Sequence, residues 1–480
     1  MSYACLPPAI LEGALSWSFE SLGNAIVQVF ENGEPMLVTD PWLLGSAYFG
    51  SWELERPLTE TQLANARGSR FAWFSHGHPD HFHMGSIETI PRNVQMLLPD
   101  HYDDELNRSL TDAGFTTRIL PSKTWVTLAP GLRVMSVSNE NMDAILAIDA
   151  GGTLLLDKND SPFCGEDRFF RHLVGQFANS YLFALCAFDA DMINTYDGEM
   201  RSLLDPAAEL KPGTIWGAAR IAHSLGVRNF CCSSSQHIYA RPDSAWANGF
   251  RITWPDMQRY WTQDDIRLIP PFSQVDLTDG RLVRTDCDDV APPDSRIRSD
   301  VVDDWSERLS EEEWVKVERF ARQFETLRDW QDFIGFSVGG EARRFFLRPG
   351  AESQPASKQV GVVFHVPRAP LLETVEYGYF DDLLIGNFMK TQLFNMKLYP
   401  IFTPRVAKLG GNAKVFTAAD LRRFQAHYFR ASPLAFLRYR AQLAARYSIE
   451  PRIRAWSQAL GLFPLLRYLK RRVVGAPRTS

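Results

Sequence analysis

The sequence predicts an α+β protein, in which a four-layer αβ/βα sandwich is followed by a smaller α+β domain. Three observations lead to this prediction. The chain has 480 residues, which is too long for one hydrophobic core. Short apolar strand patterns alternate with helical patterns in its first half, and each strand runs into a polar loop. A polar, proline-containing stretch then precedes a second set of strand and helix patterns.

The overall composition excludes several functional classes. Hydrophobic residues make up 45% of the chain and the formal net charge is −6, which is not the signature of a nucleic-acid-binding protein. None of the six cysteines forms a C-x-x-C pair, and this usage favours reduced thiols in the cytoplasm. The chain shows neither a signal-peptide pattern nor an apolar run of about 20 residues. We therefore expect a cytoplasmic protein that binds no nucleic acid.

The first predicted domain, residues 14–275, begins with a strong local signal. Two apolar runs flank Asn32 and Gly33, both of which tolerate a positive φ, and this pattern predicts a β-hairpin. The predicted strands are residues 25–30, 35–39, 71–74, 95–98, 133–137, 144–148, 153–156 and 227–232. The predicted helices are residues 102–113, 167–176 and 214–225, the last beginning after a break at Pro212-Gly213.

The rest of the chain divides into three predicted parts. These are a polar linker at residues 276–304, a smaller α+β domain at residues 305–430 and a basic amphipathic helical tail at residues 431–480. The smaller domain is predicted to contain a long helix, 306–330, and strands at 332–338, 342–347 and 360–366. Two interpretations of the tail stay open. It lies on an anionic membrane surface, at the inner face of the membrane, or it packs on the protein with its arginines solvated.

The most informative motif is residues 75–83, with the sequence Ser-His-Gly-His-Pro-Asp-His-Phe-His. It fits the pattern H-x-H-x-D-H and lies where a buried strand runs out into a loop. His76 and His78 fall on one side of this loop and Asp80 and His81 on the other, close enough to bind two adjacent ions. Neutral imidazoles and a carboxylate suit zinc, iron or manganese. The alternative is a histidine-rich surface loop that binds no metal.

Three stretches of the chain carry a resemblance to a known family. They are residues 74–81, residues 142–145 and residues 379–388, the last similar to a Trp-Asp-Asp-Leu-x-Ile-Gly-Phe signature. On these residues the chain resembles the metallo-β-lactamase superfamily and, within it, the CMP-N-acetylneuraminate hydroxylases, without their Rieske segment. The resemblance implies a metallo-β-lactamase sandwich, a two-metal site completed by later strand ends, and a non-haem di-iron oxygenase.

Two loops that follow predicted strands offer the remaining metal ligands. Asp160 comes after the strand 153–156, and we expect its carboxylate to bridge the two ions. His237 comes after the strand 227–232, and we expect it to be the last ligand. His237 packing without a metal is the alternative interpretation.

Asn139 departs from the family pattern, which suggests a histidine after the strand 133–137. Asparagine is a weak, neutral oxygen donor, so the first ion would lack a ligand. Either Asn139 itself, Glu140 or Asp143 is the candidate extra ligand, or that ion binds loosely, or only one ion is present. A carboxylate at this position would move the preference from zinc toward iron or manganese.

Two further residues are expected to act from outside the ligand set. Asp40 ends the second predicted strand, and we expect it to orient a ligand histidine through the ring N–H. His83, at the end of the motif, is a candidate proton shuttle and equally a candidate surface histidine.

Two functions stay open on one predicted site. The first is a non-haem di-iron monooxygenase that hydroxylates a small organic or natural-product substrate with O2. It would take electrons from an external reductase or ferredoxin, and no bound organic cofactor is predicted. The alternative is a dinuclear zinc hydrolase that cleaves an ester, an amide or a phosphodiester, including a lipid. A degenerate, non-enzymatic scaffold is the third interpretation.

Overall fold

The first sheet grows from the predicted hairpin in a computed structural model, which describes residues 16–197, 207–287 and 293–449. Strands Ile26–Glu31 and Glu34–Thr39 pair antiparallel, and Asn32 and Gly33 have φ values of 53° and 84°. Positive φ at both turn residues is the geometry that a tight hairpin requires, so this prediction is confirmed. In spatial order the strands of this sheet are Leu282–Thr285, Ser273–Asp276, Trp17–Gly23, Ile26–Glu31, Glu34–Thr39, Phe71–Trp73, Gln95–Pro99 and Thr117–Leu120.

A second sheet packs face to face against the first. In spatial order its strands are Arg267–Ile269, Asn229–Ser233, Ser180–Leu185, Thr153–Asn159, Asp143–Ala150, Leu132–Asn139 and Val126–Ala129. Buried side chains from both sheets meet between them, among them Val29 and Trp73 from the first and Leu146, Leu155 and Phe183 from the second. Side chains alternate along each strand, so one face of each sheet supplies this central core.

Helices cover the outer face of each sheet and complete the four layers. Leu110 belongs to the core on the outer face of the first sheet, and Phe170 to the core on the outer face of the second. The helices on the first sheet are Glu60–Arg67 and Glu105–Asp112, and those on the second are Asp167–Val174, Ala207–Leu225 and Trp254–Tyr260. The predicted αβ/βα sandwich is therefore confirmed.

The helix Ala207–Leu225 corrects one sequence prediction. It runs through Pro212, where the sequence predicted a break. Proline removes one hydrogen bond from a helix. Here Ile215 and Ala222 are buried against the second sheet, and this packing stabilises the helix more than the missing bond weakens it.

The second domain is built on a third sheet. In spatial order its strands are Thr195–Asp197, Lys390–Phe394, Gly361–His365, Phe333–Val338 and Glu341–Phe346. Thr195–Asp197 belongs to the first domain by sequence, yet it pairs parallel with Lys390–Phe394. The two domains therefore share a sheet, which the sequence analysis did not predict.

The long helix of the second domain is shorter than predicted. It spans Glu311–Arg322 rather than residues 306–330. The side chain of Ser310 accepts a hydrogen bond from the backbone N–H of Glu313, and the carboxylate of Glu313 accepts one from the backbone N–H of Ser310. This capping box fixes the first turn.

The predicted linker and tail both belong partly to the first domain. Leu282–Thr285, inside the predicted linker 276–304, pairs with Ser273–Asp276 at the edge of the first sheet. Helix Pro433–Ala444, inside the predicted tail, buries Ala435, and residues 450–480 of that tail lie outside the described residues. None of the described helices combines the length and the apolar character needed to cross a membrane.

Shorter elements complete the described residues. The remaining strands are Trp52–Leu54 and His237–Tyr239, which pair with each other. The remaining α-helices are Met84–Ile87, Ala190–Ile193, Arg368–Tyr377, Phe380–Ile385 and Ala418–Ala431. The 3₁₀ turns are Ala245–Phe250, Pro293–Arg296, Glu325–Leu327, Ala351–Ser353 and Ala356–Lys358, and the π-helical segments are Leu398–Phe402, Pro404–Asn412 and Ala445–Ile449.

Candidate metal centre

The histidine motif follows the buried strand Phe71–Trp73 of the first sheet. Asp40 directly follows the neighbouring strand Glu34–Thr39. Its carboxylate accepts hydrogen bonds from the backbone N–H and from the hydroxyl of Ser75, each at 2.7 Å. Both residues lie at the end of parallel neighbouring strands. The loop that carries the motif therefore starts from a rigid point at the edge of the sheet.

His76, His78 and Asp160 form the first group of candidate ligands. Nε2 of His76 lies 2.8 Å from Nδ1 of His78 and 3.8 Å from Oδ2 of Asp160. The three residues can each offer one ligand atom within 4.8 Å of the others. Two imidazole nitrogens and a carboxylate oxygen at this separation are a suitable donor set for a first-row metal ion.

Asp80, His81 and Asp160 form the second group, beside the first. Nε2 of His81 lies 3.3 Å from Oδ2 of Asp80 and 3.9 Å from Oδ1 of Asp160. The two oxygens of Asp160 thus face different groups, Oδ2 the first and Oδ1 the second. This is the arrangement that a bridging carboxylate requires.

His237 lies in the wall of the same cavity as these residues. Its ring stacks on Trp52, with ring centroids 3.4 Å apart and an angle of 7° between the planes. Burial lowers the pKa of His237 to about 3, so the ring is neutral at pH 7. A neutral imidazole held by stacking is a ready metal ligand.

Three buried atoms of the candidate ligands have no hydrogen-bond partner among the described residues. They are Nε2 of His81, Oδ1 of Asp160 and Nδ1 of His237. A buried polar atom without a partner is costly, so nearly all such atoms in proteins are satisfied by some group. Metal ions held by these atoms would satisfy all three, and the residues therefore fit a dinuclear centre.

The other ring nitrogens of His76, His78 and His81 are engaged. Nδ1 of His81 lies 2.8 Å from Asp40, as an orienting role for Asp40 requires. Nδ1 of His76 lies 2.9 Å from the Ser75 hydroxyl, and Nε2 of His78 lies 2.9 Å from Asp381. These contacts fix the ring orientations and leave the opposite nitrogens facing the centre.

The pKa values of His78 and Asp80 are set by burial and by the charged or hydrogen-bonding groups in contact with them. Burial lowers the pKa of His78, but the hydrogen bond and the charge of Asp381 outweigh it and raise that pKa to about 9. Burial alone would raise the pKa of Asp80, yet His81 and the Tyr48 hydrogen bond hold it well below its usual range. Since a ligating imidazole must be neutral, metal binding would displace a proton from His78.

The three candidates for the extra ligand lie in different places. The amide of Asn139 donates to Ser161 and to the Pro162 carbonyl, at 2.8 and 3.0 Å, and its oxygen accepts from a backbone N–H. Glu140 forms an ion pair with Arg440. Both side chains are therefore committed elsewhere and we remove them from the ligand set.

Asp143 stays at the site, in the wall of the cavity. Its Oδ1 lies 3.4 Å from Nδ1 of His76 and accepts a hydrogen bond from the backbone N–H of Ala144 at 2.7 Å. This oxygen therefore contacts the outer nitrogen of His76, the one that faces away from His78. In this position Asp143 helps to orient His76.

His83 has a structural role instead of a place in the cavity. Its Nδ1 accepts a hydrogen bond from the backbone N–H of Ser86 and caps the short helix Met84–Ile87. Its Nε2 lies 3.2 Å from the carbonyl oxygen of Ser46. With both ring nitrogens engaged, His83 is not placed to shuttle protons.

Two residues at the site were missed by the sequence analysis. Asp381 lies in the helix Phe380–Ile385 of the second domain and contacts His78 across the domain boundary. The hydroxyl of Tyr48 donates a 2.5 Å hydrogen bond to Asp80. The stretch 379–388 had been singled out as a family signature, but nothing local to it indicates which sheet edge it reaches.

The candidate ligands other than His81 line a cavity of about 170 Å³. Its walls combine acidic residues, such as Asp189 and Asp191, with the aromatic residues Phe188 and Tyr239 and the cation Arg251. A cavity that is partly polar and partly apolar suits a small organic substrate with a few hydrogen-bonding groups.

No family model and no curated protein matches the chain. A metallo hydrolase from Ignicoccus hospitalis matches with 14% identity and a TM-score of 0.36, over 55% of this chain and 98% of that one. The metallo-β-lactamase fold protein YhfI from Bacillus subtilis matches with 13% identity and a TM-score of 0.32, over 54% and 99%.

A further solved structure is the diiron β-hydroxylase CmlA from Streptomyces venezuelae. It matches with 14% identity and a TM-score of 0.36, over 55% of this chain and 54% of that one. At such identities a likeness concerns the fold alone. The specific resemblance to the CMP-N-acetylneuraminate hydroxylases stays a prediction.

Proposed function

We propose that this protein is a dinuclear metal-dependent hydrolase of small organic substrates. The observation that carries the proposal is the set of three buried atoms without partners, on His81, Asp160 and His237, beside the His76–His78 pair. Hydrolysis requires only the ions, water and a substrate. Hydroxylation would also require dioxygen and two external electrons.

In this proposal His76, His78 and Asp160 hold one ion, and Asp80, His81, Asp160 and His237 hold the other. When bound, such a pair of ions lowers the pKa of a coordinated water and polarises the bond to be cleaved.

The chain supplies the orientation of this donor set. Tyr48 and the amide of Asn24 donate hydrogen bonds to Asp80, at 2.5 and 2.9 Å, so its carboxylate is held in one position. The carboxylates of Asp40 and Asp381 hold the rings of His81 and His78 in place by accepting hydrogen bonds from their ring N–H groups. Each group is therefore held in place before a substrate enters, which lowers the cost of organising the reaction.

A di-iron hydroxylase is the second candidate, and the carboxylate content of the site favours it. Asp143 lies beside His76, in the region where the family pattern suggests a neutral histidine. Asp80 and Asp160 already supply hard carboxylate oxygens to the donor set, and Asp143 adds negative charge behind His76, a combination that favours iron or manganese over zinc. An external reductase or ferredoxin would then be a partner.

Metal analysis of the full-length protein distinguishes the two functions. We expect about two zinc ions per chain, together with cleavage of bis(p-nitrophenyl) phosphate or p-nitrophenyl acetate that a chelator abolishes and zinc restores. About two iron ions per chain, O2 consumption with a reductant and no cleavage of either compound would support the hydroxylase. Protein without bound metal that cannot be loaded would contradict both.

Asp160→Ala tests the bridging role within the same measurements. Because both groups lose an oxygen ligand, we expect metal content to fall from about two ions per chain to about one or fewer. The exposed His172→Ala is the matched control, since it removes an imidazole far from the cavity. Full metal content in Asp160→Ala would show that the ligand assignment is wrong.

A further inference from the structure

A second, larger cavity adjoins the candidate metal centre. It has a volume of about 650 Å³, and four of its wall residues also line the first cavity: Asn141, Asp160, Asp189 and Tyr399. The metal centre thus lies at one end of a continuous space. A volume of this size accommodates a whole small molecule.

The larger cavity has a cluster of cations in its wall, away from the metal centre. Arg405, Arg440 and Arg446 line it, whereas Asp160 and Asp189 lie where the two cavities meet. These arginines attract the anionic group of an entering molecule into the larger cavity.

Arg405 and Arg440 are the central cations of the larger cavity. Both are partly buried, and the Nε atom of each is buried without a hydrogen-bond partner. Arg440 pairs with Glu140, while Arg405 forms no ion pair with any described residue and stacks over Trp330, 5.2 Å from the ring centroid.

The charge of Arg405 is therefore not compensated by a carboxylate in contact with it. Burial and the neighbouring charge of Arg440 lower the pKa of Arg405, against a smaller opposing effect of the Asp329 charge. Holding two guanidinium groups near each other in a partly buried place costs free energy, unless an anion lies between them. A guanidinium presents its N–H groups in a planar fork that matches a phosphate group.

Aromatic side chains line the space around these arginines. Phe424 and Tyr439 belong to the wall of the larger cavity, and Tyr399 lies where the two cavities meet. Such walls contact the apolar part of an organic molecule, while the arginines contact its charged part.

We infer that Arg405, with Arg440 beside it, binds a phosphate group of the substrate, whose organic part lies along the aromatic wall toward Asp160. This inference rests on the proposed function, because it names the substrate class of the same site. The substrate is then a phosphate-bearing small molecule, and the phosphate end is held in the larger cavity, away from the bond that is cleaved.

Binding of phenyl phosphate to the full-length protein tests the inference by isothermal titration calorimetry. Arg405→Gln removes the charge and keeps much of the side-chain length, and we expect it to weaken binding by roughly ten- to a hundredfold. Arg405→Lys keeps the charge without the fork, and we expect an intermediate loss. Arg422→Gln, an exposed arginine on helix Ala418–Ala431, is the matched control and should bind like the wild type.

The metal content of the same samples separates this inference from the proposed function. We expect Arg405→Gln to keep the wild-type metal content. We also expect Asp160→Ala to retain phenyl phosphate binding when its metal is lost. If the wild type does not bind phenyl phosphate, or if Arg405→Gln binds it as the wild type does, the inference is wrong. If binding depends on Arg405 while no metal can be loaded, the phosphate site stands and the hydrolase proposal fails.

Discussion

At the scale of single residues, three of the candidate ligands are each held by a partner outside the ligand set. His81 is held by Asp40, His78 by Asp381 and Asp80 by Tyr48. Such partners fix the ring or carboxylate orientation before a metal binds, and their loss typically weakens metal binding by about 10- to 100-fold.

The contact of Asp381 with His78 predicts an effect on metal affinity, which a purely structural role of Asp381 would not produce. We expect Asp381→Ala to lower the affinity for metal by about 10- to 100-fold, because Nε2 of His78 loses its acceptor and the ring loses its fixed orientation. Competition with a chromogenic chelator measures this affinity, and thermal unfolding of the metal-free protein checks that the variant is folded. Asp279→Ala, an exposed aspartate, is the control. Unchanged affinity in Asp381→Ala would contradict the orienting role.

At the scale of elements, the helix Pro433–Ala444 supports the loop that follows Asp160. Ser432, just before this helix, accepts a hydrogen bond from Lys123 at 2.7 Å and donates one to Glu166 at 2.5 Å. The carbonyl oxygen of Gly165 accepts a hydrogen bond from Arg438. The described part of the basic segment is therefore packed on the sandwich.

This packing can be tested at Gly165, where an added Cβ would overlap the backbone of Ala435. We expect Gly165→Ala to displace the helix and to increase hydrogen exchange over residues 433–444. Gly152 has the same φ of +87° with nothing within 4 Å of its would-be Cβ, so Gly152→Ala carries the same backbone strain without the clash. Equal exchange over residues 433–444 in the two variants would show that the helix does not depend on this contact.

At the scale of the whole molecule, the two domains act as one unit. They share the third sheet, to which the first domain contributes Thr195–Asp197. Arg241 of the first domain adds a second connection. Its 1%-exposed side chain pairs with Asp243 of the same domain and with Asp303 of the linker, each at 2.8 Å. Its guanidinium also lies over the ring of Phe388, 4.1 Å from the centroid. The metal centre depends on this union because Asp381 reaches it from the second domain.

Arg241 is accordingly the place to weaken that union. We expect Arg241→Ala to lower the free energy of unfolding by about 3 kcal/mol, the lower end of the cost of breaking a buried ion pair, since both carboxylates are partly exposed and can be hydrated. Arg322→Ala breaks an exposed pair with Glu318 and should cost about 0.5 kcal/mol or less. Urea unfolding monitored by circular dichroism measures both. A similar small loss in the two variants would mean that Arg241 does not hold the domains together.

Local patterns were enough for the elements that depend on neighbouring residues. The Asn32-Gly33 turn and the alternation of apolar strands with polar loops are both set by short-range sterics and hydrogen bonds. The break expected at Pro212 was wrong because burial of the same helix on the second sheet is a long-range effect.

The sequence by itself determined that imidazoles and carboxylates would gather at the ends of strands, because a motif such as residues 75–83 and an apolar strand before it are both local features. Only the tertiary structure decided which of Asn139, Glu140 and Asp143 stays at the centre, since that depends on distant partners such as Arg440. It also decided the contact of Asp381 with His78, 303 residues apart along the chain. Contacts at such separations are set by how whole sheets and helices pack, and no local pattern encodes them.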